Sequence, residues 1–172
     1  MFDPDLSKRF EEEVVPLLDA AYNMARWLTR NDHDAQDVVQ EAYIRAFRSF
    51  AGFRGGNTRA WLLKIVRNTC FTWLQQNRRM QPAVEFDEDL FGSDLATLNP
   101  EEALLQSAGR LALYQALESL PQNFREVLVL RELEELSYQE IVDITGAPMG
   151  TIMSRLSRSR DALRQSLMPV SS

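Results

Sequence analysis

Cysteine and histidine occur once each, as Cys70 and His33. A single cysteine closes no internal disulfide, and with a single histidine it supplies too few soft ligands for a zinc site. One histidine also makes a histidine general base a poor expectation, and Cys70 and His33 are read simply as a small core residue and a turn residue. Glycine is scarce, at 7 of 172 residues, and alternating apolar–polar runs are missing, so nothing points to a β-sheet. No apolar run approaches the roughly 18 residues of a membrane span. The opening residues, Met1 to Glu13, are acidic and lack the basic-then-apolar order of a secretory signal. These absences lead to the expectation of a soluble cytoplasmic protein with no metal, no cofactor and no membrane insertion. Scattered carboxylates are the only support for an enzyme, so none is expected and no catalytic residue is assigned.

What is present is a helical core and a divided charge. Apolar residues make up 45% of the chain, enough to fold. The net charge of −6 argues at first against nucleic acid, but it is an average. Residues 53–79 hold Arg54, Arg59, Lys64, Arg67, Arg78 and Arg79 with no carboxylate, giving +6 over 27 residues. Residues 80–109 hold seven acids and no cationic group, and residues 150–172 carry +3. Two cationic islands therefore sit in an acidic chain. A run of charge serves equally as a solvated face, although ordinary surfaces mix signs more than residues 53–79 do.

Helical periodicity runs through nearly all of it. One helix is expected from Phe10 to Leu28, with Pro16 as a kink or start. Asn31 to Asp34 reads as a turn, with Asp34 as the N-cap of a helix that buries Val38, Val39, Ala42, Tyr43, Ala46, Phe47 and Phe50. A glycine-containing loop over 51–58 leads to a third helix over 59–79. Pro82 and the acids after it mark a linker over 81–100. Four further segments follow, at about 102–119, 122–135, 138–145 and 149–167. Ser137 and Glu140 form a capping box, and Gly146-Ala147-Pro148 makes the turn between the last two. The expected fold is all-α: a helical domain over 1–80, an acidic linker over 81–100, and a helical domain over 101–172 containing a helix-turn-helix.

Two helix faces carry chemistry. On the helix 149–167, Ile152, Leu156, Ser159 and Leu163 face inward. Thr151, Ser154, Arg155 and Arg158 face outward and can meet phosphates and base edges, while Gly150 and Thr151 offer backbone N–H groups at the helix start. On the helix 59–79, Leu62, Val66, Thr69 and Trp73 make the core stripe. Lys64, Arg67, Phe71, Gln75 and Arg78 make the opposite one, flanked by Trp61 and Asn68. Cations with an exposed ring suit single-stranded nucleic acid, and the basic loop containing Arg54 could admit an extruded base. Each face also fits a plainer reading: a solvated helical hairpin for the first, core packing for the aromatics of the second.

Two blocks taken together resemble bacterial sigma factors. Asp34-Ala-Gln-Asp-Val-Val-Gln-Glu-Ala-Tyr-Ile-Arg-Ala-Phe47 and Trp61-Leu-Leu-Lys-Ile-Val-Arg-Asn68 resemble their second region. Leu120-Pro-Gln-Asn-Phe-Arg-Glu-Val-Leu-Val-Leu130, Leu136-Ser-Tyr-Gln-Glu-Ile141 and Pro148-Met-Gly-Thr-Ile-Met-Ser-Arg-Leu156 resemble their fourth. The short chain, with only an acidic linker between, resembles the extracytoplasmic function (ECF) group over roughly residues 8–165. The resemblance implies a specificity subunit for core RNA polymerase that selects promoter DNA, with an anti-sigma factor as a further partner. It implies that Asp37, Gln40, Glu41 and Arg45 dock on polymerase. It implies that Arg54, Arg59, Trp61, Lys64, Arg67, Asn68, Phe71, Gln75 and Arg78 recognise and open the −10 element. It implies that Gly150, Thr151, Ser154, Arg155 and Arg158 read the −35 element. Met153, where many relatives carry Lys, and Thr72, where many carry Asp, depart from the pattern. Two other readings fit parts of the chain. A sigma-like decoy for an anti-sigma factor would lose the cationic stripes and bring a receiver domain. A stand-alone helix-turn-helix regulator would leave residues 34–79 idle.

Overall fold

The computed structural model describes residues 3–77 and 100–167. Of the expected acidic linker, residues 81–99 lie outside the described residues, and Pro100 already opens a helix.

Eight α-helices follow one another, and no strand occurs among the described residues. Helix α1 (Pro4–Glu13) is opened by Asp3, whose carboxylate accepts the N–H of Asp5 at 3.0 Å. The single helix expected over 10–28 is broken. Pro16 cannot donate a backbone hydrogen bond, and the chain tightens into one 3₁₀ turn, Val15–Leu17, before α2 (Leu18–Thr29). Arg30 ends α2 in the left-handed region at φ 63°. Asn31, not Asp34, then caps α3 (Asp32–Phe50). Its extended backbone lets its side-chain oxygen accept the N–H of Asp34 at 3.0 Å, so Asp34 lies inside the first turn, near the positive helix end. In the same way Asn57 caps α4 (Thr58–Gln76) through the N–H of Ala60.

These four helices share a core of Phe10, Val14, Met24, Leu28, Val38, Ala42, Phe50, Leu62 and Val66. Phe10 meets the rings of Tyr43, Phe47 and Phe50 edge-on, at 5.2 to 6.1 Å. Phe47, expected inward, reaches Phe10 while leaving part of its ring exposed.

The second half comprises α5 (Pro100–Ser119), α6 (Gln122–Leu128), α7 (Tyr138–Thr145) and α8 (Met149–Leu167). Arg125 is buried and donates to the carbonyls of Glu118 and Leu120 at 3.1 and 3.3 Å, satisfying the end of α5. Burial, with Arg30 nearby, lowers its pKa to about 10. The helix expected over 122–135 widens into a π turn, Val129–Leu133. There Arg131 donates to the carbonyl of Leu136 at 2.8 Å, drawing the chain back to the start of α7. The capping box is formed in both directions. Glu140 N–H reaches the Ser137 hydroxyl at 3.1 Å, and Ser137 N–H reaches the Glu140 carboxylate at 3.0 Å. Gly146 closes α7 at φ 75°, a conformation costly for any residue with a Cβ.

The halves pack on one another. The rings of Trp27 and Tyr114 stack at 4.7 Å, 3° from parallel. Arg26, itself buried, bonds Asp32 at 2.7 Å and Glu118 at 3.3 Å. Further along, α4 rests on α7 and α2 on α6.

Candidate nucleic-acid interface

Helix α4 is buried on more than one side. Leu62, Val66 and Thr69 face the α2–α3 core as the periodicity implies, with Trp73 half-buried at the end of that stripe. Leu63 and Cys70, outside the stripe, are also fully buried. Burial, and then the charge of Glu126 on α6, push the Cys70 thiol far above its ordinary pKa. Cys70 is therefore a small core residue, and it lies toward the other half of the molecule.

The residues of the cationic stripe fall into two groups. Lys64, Asn68 and Gln75 are exposed, as is Arg54 in the loop, where Gly55 and Gly56 take positive φ values of 88° and 99°. The others are engaged. Arg67 donates to the Glu126 carboxylate and lies over the Phe71 ring, 4.4 Å from its centroid. Arg59 donates to Glu134, just after the π turn, and Asn57 donates to Glu140 on α7. Phe71 is half-buried. So is Trp61, one face of which stacks on Phe53 at 4.6 Å. Arg78 lies outside the described residues. Three acids of the second half thus hold three groups at or beside the stripe. Sequence reasoning missed this because the partners lie 59 to 83 residues away. Burial holds the Glu126 carboxyl above the ordinary carboxylate range, although Arg67 pulls it down.

On α8, Gly150, Ser154 and Arg158 are exposed, while Thr151 and Arg155 are half-buried. Arg155 is close enough to Glu126 to act on its ionisation. Ile152, Leu156 and Ser159 are buried and Leu163 is half-buried, the face expected inward.

On α3, Asp37, Gln40 and Glu41 are exposed, and Arg45 pairs with Glu41 at 3.0 Å. A hollow of about 340 Å³ lies between α3 and α4. Asp37, Glu41 and Arg45 line one side, and Thr72, Trp73 and Gln76 the other. The Thr72 hydroxyl donates to the carbonyl of Asn68 at 3.0 Å, a local bond along α4. Ile44 stands 48% exposed one turn beyond Gln40 and Glu41. Periodicity gave no reason to name it, because an apolar residue is ordinarily read as inward.

Residues 14–80 match the family described as Sigma-70 region 2, and residues 110–163 match the family described as Sigma-70, region 4. The chain is 38% identical over 144 residues to the ECF RNA polymerase sigma-E factor of Escherichia coli, spanning 80% of this chain and 75% of that one. It is 32% identical over 176 residues to the protein of the same name from Haemophilus influenzae, spanning 96% and 87%. Among solved structures it is similar to the sigma factor RpoE from Bartonella quintana, crystallised with the anti-sigma factor NepR. That likeness has a TM-score of 0.75 and 27% identity over 93% of this chain and 97% of that one. CnrH, in complex with the cytosolic domain of CnrY, shares the fold at a TM-score of 0.65 and 24% identity, over 94% of this chain and 88% of that one.

Proposed function

The chain belongs to the ECF sigma factors, and on that premise we propose how its parts divide the selection of a promoter. The protein directs core RNA polymerase to promoter DNA; it is a transcription initiation factor, and the bond-making chemistry belongs to the polymerase. Acting on DNA with polymerase, it works in the cytoplasm.

Residues 1–80 dock on polymerase and open the −10 element. Asp37, Gln40, Glu41 and Arg45 make the docking face on α3. Arg54, Arg59, Trp61, Lys64, Arg67, Asn68, Phe71, Gln75 and Arg78 take the displaced strand. Residues 101–172 read the −35 element through Gly150, Thr151, Ser154, Arg155 and Arg158, and residues 81–100 span the two as a linker. One observation carries this division: two cationic helix faces, on α4 and α8, lie in the two separate halves of the molecule, beside a polar face on α3 that takes no part in the core. Phosphate neutralisation drives DNA affinity, and the faces supply cations that the net charge of −6 conceals.

With Arg59 and Arg67 held by Glu134 and Glu126, strand capture requires the two halves to part. The free chain is therefore a weak DNA binder, and assembly on polymerase makes it competent. An anti-sigma factor, of the kind seated on RpoE in its crystal structure, would hold the chain out of use.

Run-off transcription with purified core polymerase tests the reading. The expected result is a discrete transcript from a cognate promoter, absent with core alone. Core binding without any promoter-specific transcript would point to a decoy. Tight duplex binding without polymerase, by gel shift, would point to a stand-alone regulator.

A further inference from the structure

Met153 stands on the solvent side of α8 with 54% of its surface exposed, and Met149, one turn earlier, with 37%. Residues four apart are neighbours on a helix face, so the two make one apolar flank. The exposed positions beside them are small. Gly150, where an added Cβ would meet nothing within 4 Å, Ser154 and Ser157 leave the thioethers rising over a low floor. The core face of α8 is made by Ile152 and Leu156, so these methionines fill no gap in the interior.

Their position restricts what they can touch. Helix α8 is the second helix of the helix-turn-helix, and the first residues of such a helix meet base edges in the major groove. Met149 and Met153 are its first and fifth residues. A thioether donates no hydrogen bond and accepts only weakly, so it cannot read the polar edges of the base pairs. The apolar group a base pair presents in that groove is the thymine 5-methyl. Of the cations on the same flank, Arg160 is held by Glu132 at 2.7 Å, and Arg164, three turns beyond Met153, is only loosely paired with Asp161 at 3.6 Å. Beside Met153 the surface offers an apolar contact, while Ser154 and Arg158 on the other flank offer polar and cationic ones.

We propose that Met153, supported by Met149, is a specificity-determining contact to the 5-methyl group of a thymine in the −35 element. The proposal rests on the assignment of α8 to that element.

The test uses holoenzyme assembled from the full chain and core polymerase. It first selects its −35 sequence from a randomised duplex library. Each thymine of the selected element is then replaced, one at a time, by deoxyuridine, which removes the methyl group and keeps every hydrogen-bonding group. At one position the wild type should weaken about fourfold, the worth of one buried methyl. Met153→Ala should be indifferent to that replacement, and Met153→Leu should restore the sensitivity. Both variants change an exposed side chain, and unchanged helicity by circular dichroism confirms their folding. If no thymine replacement separates wild type from Met153→Ala, the proposal is overturned. Equal weakening of every sequence by Met153→Ala also overturns it, since that marks a protein or backbone contact. If the holoenzyme selects no −35 sequence at all, the assignment of α8 falls first and the proposal with it.

Discussion

Arg67 on α4 donates its Nε–H to a carboxylate oxygen of Glu126 on α6, joining two helices from opposite halves of the chain. The Glu126 side chain is 1% exposed and that of Arg67 20%. The same guanidinium covers the Phe71 ring. A cation suited to a phosphate and a ring suited to a base are thereby both occupied from within the molecule. On the proposed division of roles, promoter capture and the packing of the two halves would compete for the same groups.

The first consequence is for stability. Breaking a buried pair by removing one partner leaves a charge without compensation. Arg67→Ala should lower unfolding stability by about 3 kcal/mol, the low end for a buried pair, because partial exposure of Arg67 admits some water. Glu126→Gln should cost less, since its amide oxygen still accepts from Arg67 and the charge left behind, on Arg67, keeps some contact with water. Urea denaturation at neutral pH measures both. Equal losses would mean that packing, not charge, accounts for the site.

The second consequence is for binding. The double variant Glu126→Gln, Glu134→Ala weakens the hold on Arg67 and Arg59. The free chain should then bind a single-stranded oligonucleotide several-fold more tightly, with a steeper salt dependence, as freed cations meet phosphates. Fluorescence anisotropy over a salt series checks this. Unchanged affinity and slope would show that the acids do not compete with DNA.

Local chemistry made much of the fold legible. Ser137 and Glu140 announce the start of α7, Gly146 its end, and the spacing of Ile152, Leu156 and Ser159 the inward face of α8. The errors came where local signals compete. Asn31 and Asp34 are both good caps, and the backbone at Asn31 is the one that is extended. Pro16 leaves open whether a helix bends or restarts. No local rule reveals the second covering of α4. Leu63 and Cys70 lie off the Leu62–Val66–Thr69 stripe and are buried all the same, Cys70 beside Glu126 from far along the chain. For the same reason Arg59 and Arg67 read as free cations, because an ion pair 75 or 59 residues distant leaves no periodic trace. Ile44 was illegible for the opposite reason, being an apolar residue that faces out.

Cys70 offers a reporter of the junction. Burial and the nearby Glu126 charge both disfavour its thiolate, the form that reacts. At pH 8 the free chain should react with a thiol reagent at least ~100-fold more slowly than an unhindered cysteine. The rate should rise in the Glu126→Gln, Glu134→Ala variant, by loss of the adjacent charge and by opening. Rapid labelling of the folded wild type would place Cys70 outside a closed junction.

The capping box predicts a pH signature. Backbone hydrogen bonding from Ser137 holds the Glu140 carboxyl below its ordinary pKa, with help from Asn57 and Arg59. A depressed folded pKa gives stability that is present above the unfolded value and lost as pH falls through the folded one. Ser137→Ala should cost about 1 kcal/mol at pH 7. Glu140→Gln should be destabilising at pH 7, and that effect should shrink as the pH falls through the depressed pKa of the wild-type carboxyl. Thermal melts of both variants at pH 7 and pH 3 check the sign.

Arg158 gives the sharpest test of α8 itself. It is exposed, whereas Arg155 is half-buried and close to Glu126. Arg158→Ala should leave the melting temperature unchanged and weaken holoenzyme binding to the −35 duplex. If the guanidinium reads a base edge, the loss is about 1–3 kcal/mol at one position and discrimination there relaxes. If it meets a phosphate, all sequences weaken alike and the salt slope falls by about one. Arg155→Ala should lower stability as well as binding, because it removes a cation near a buried carboxylate. Unchanged duplex affinity for Arg158→Ala would remove that face of α8 from the groove. The orientation of the helix-turn-helix on DNA would then have to be turned about its axis.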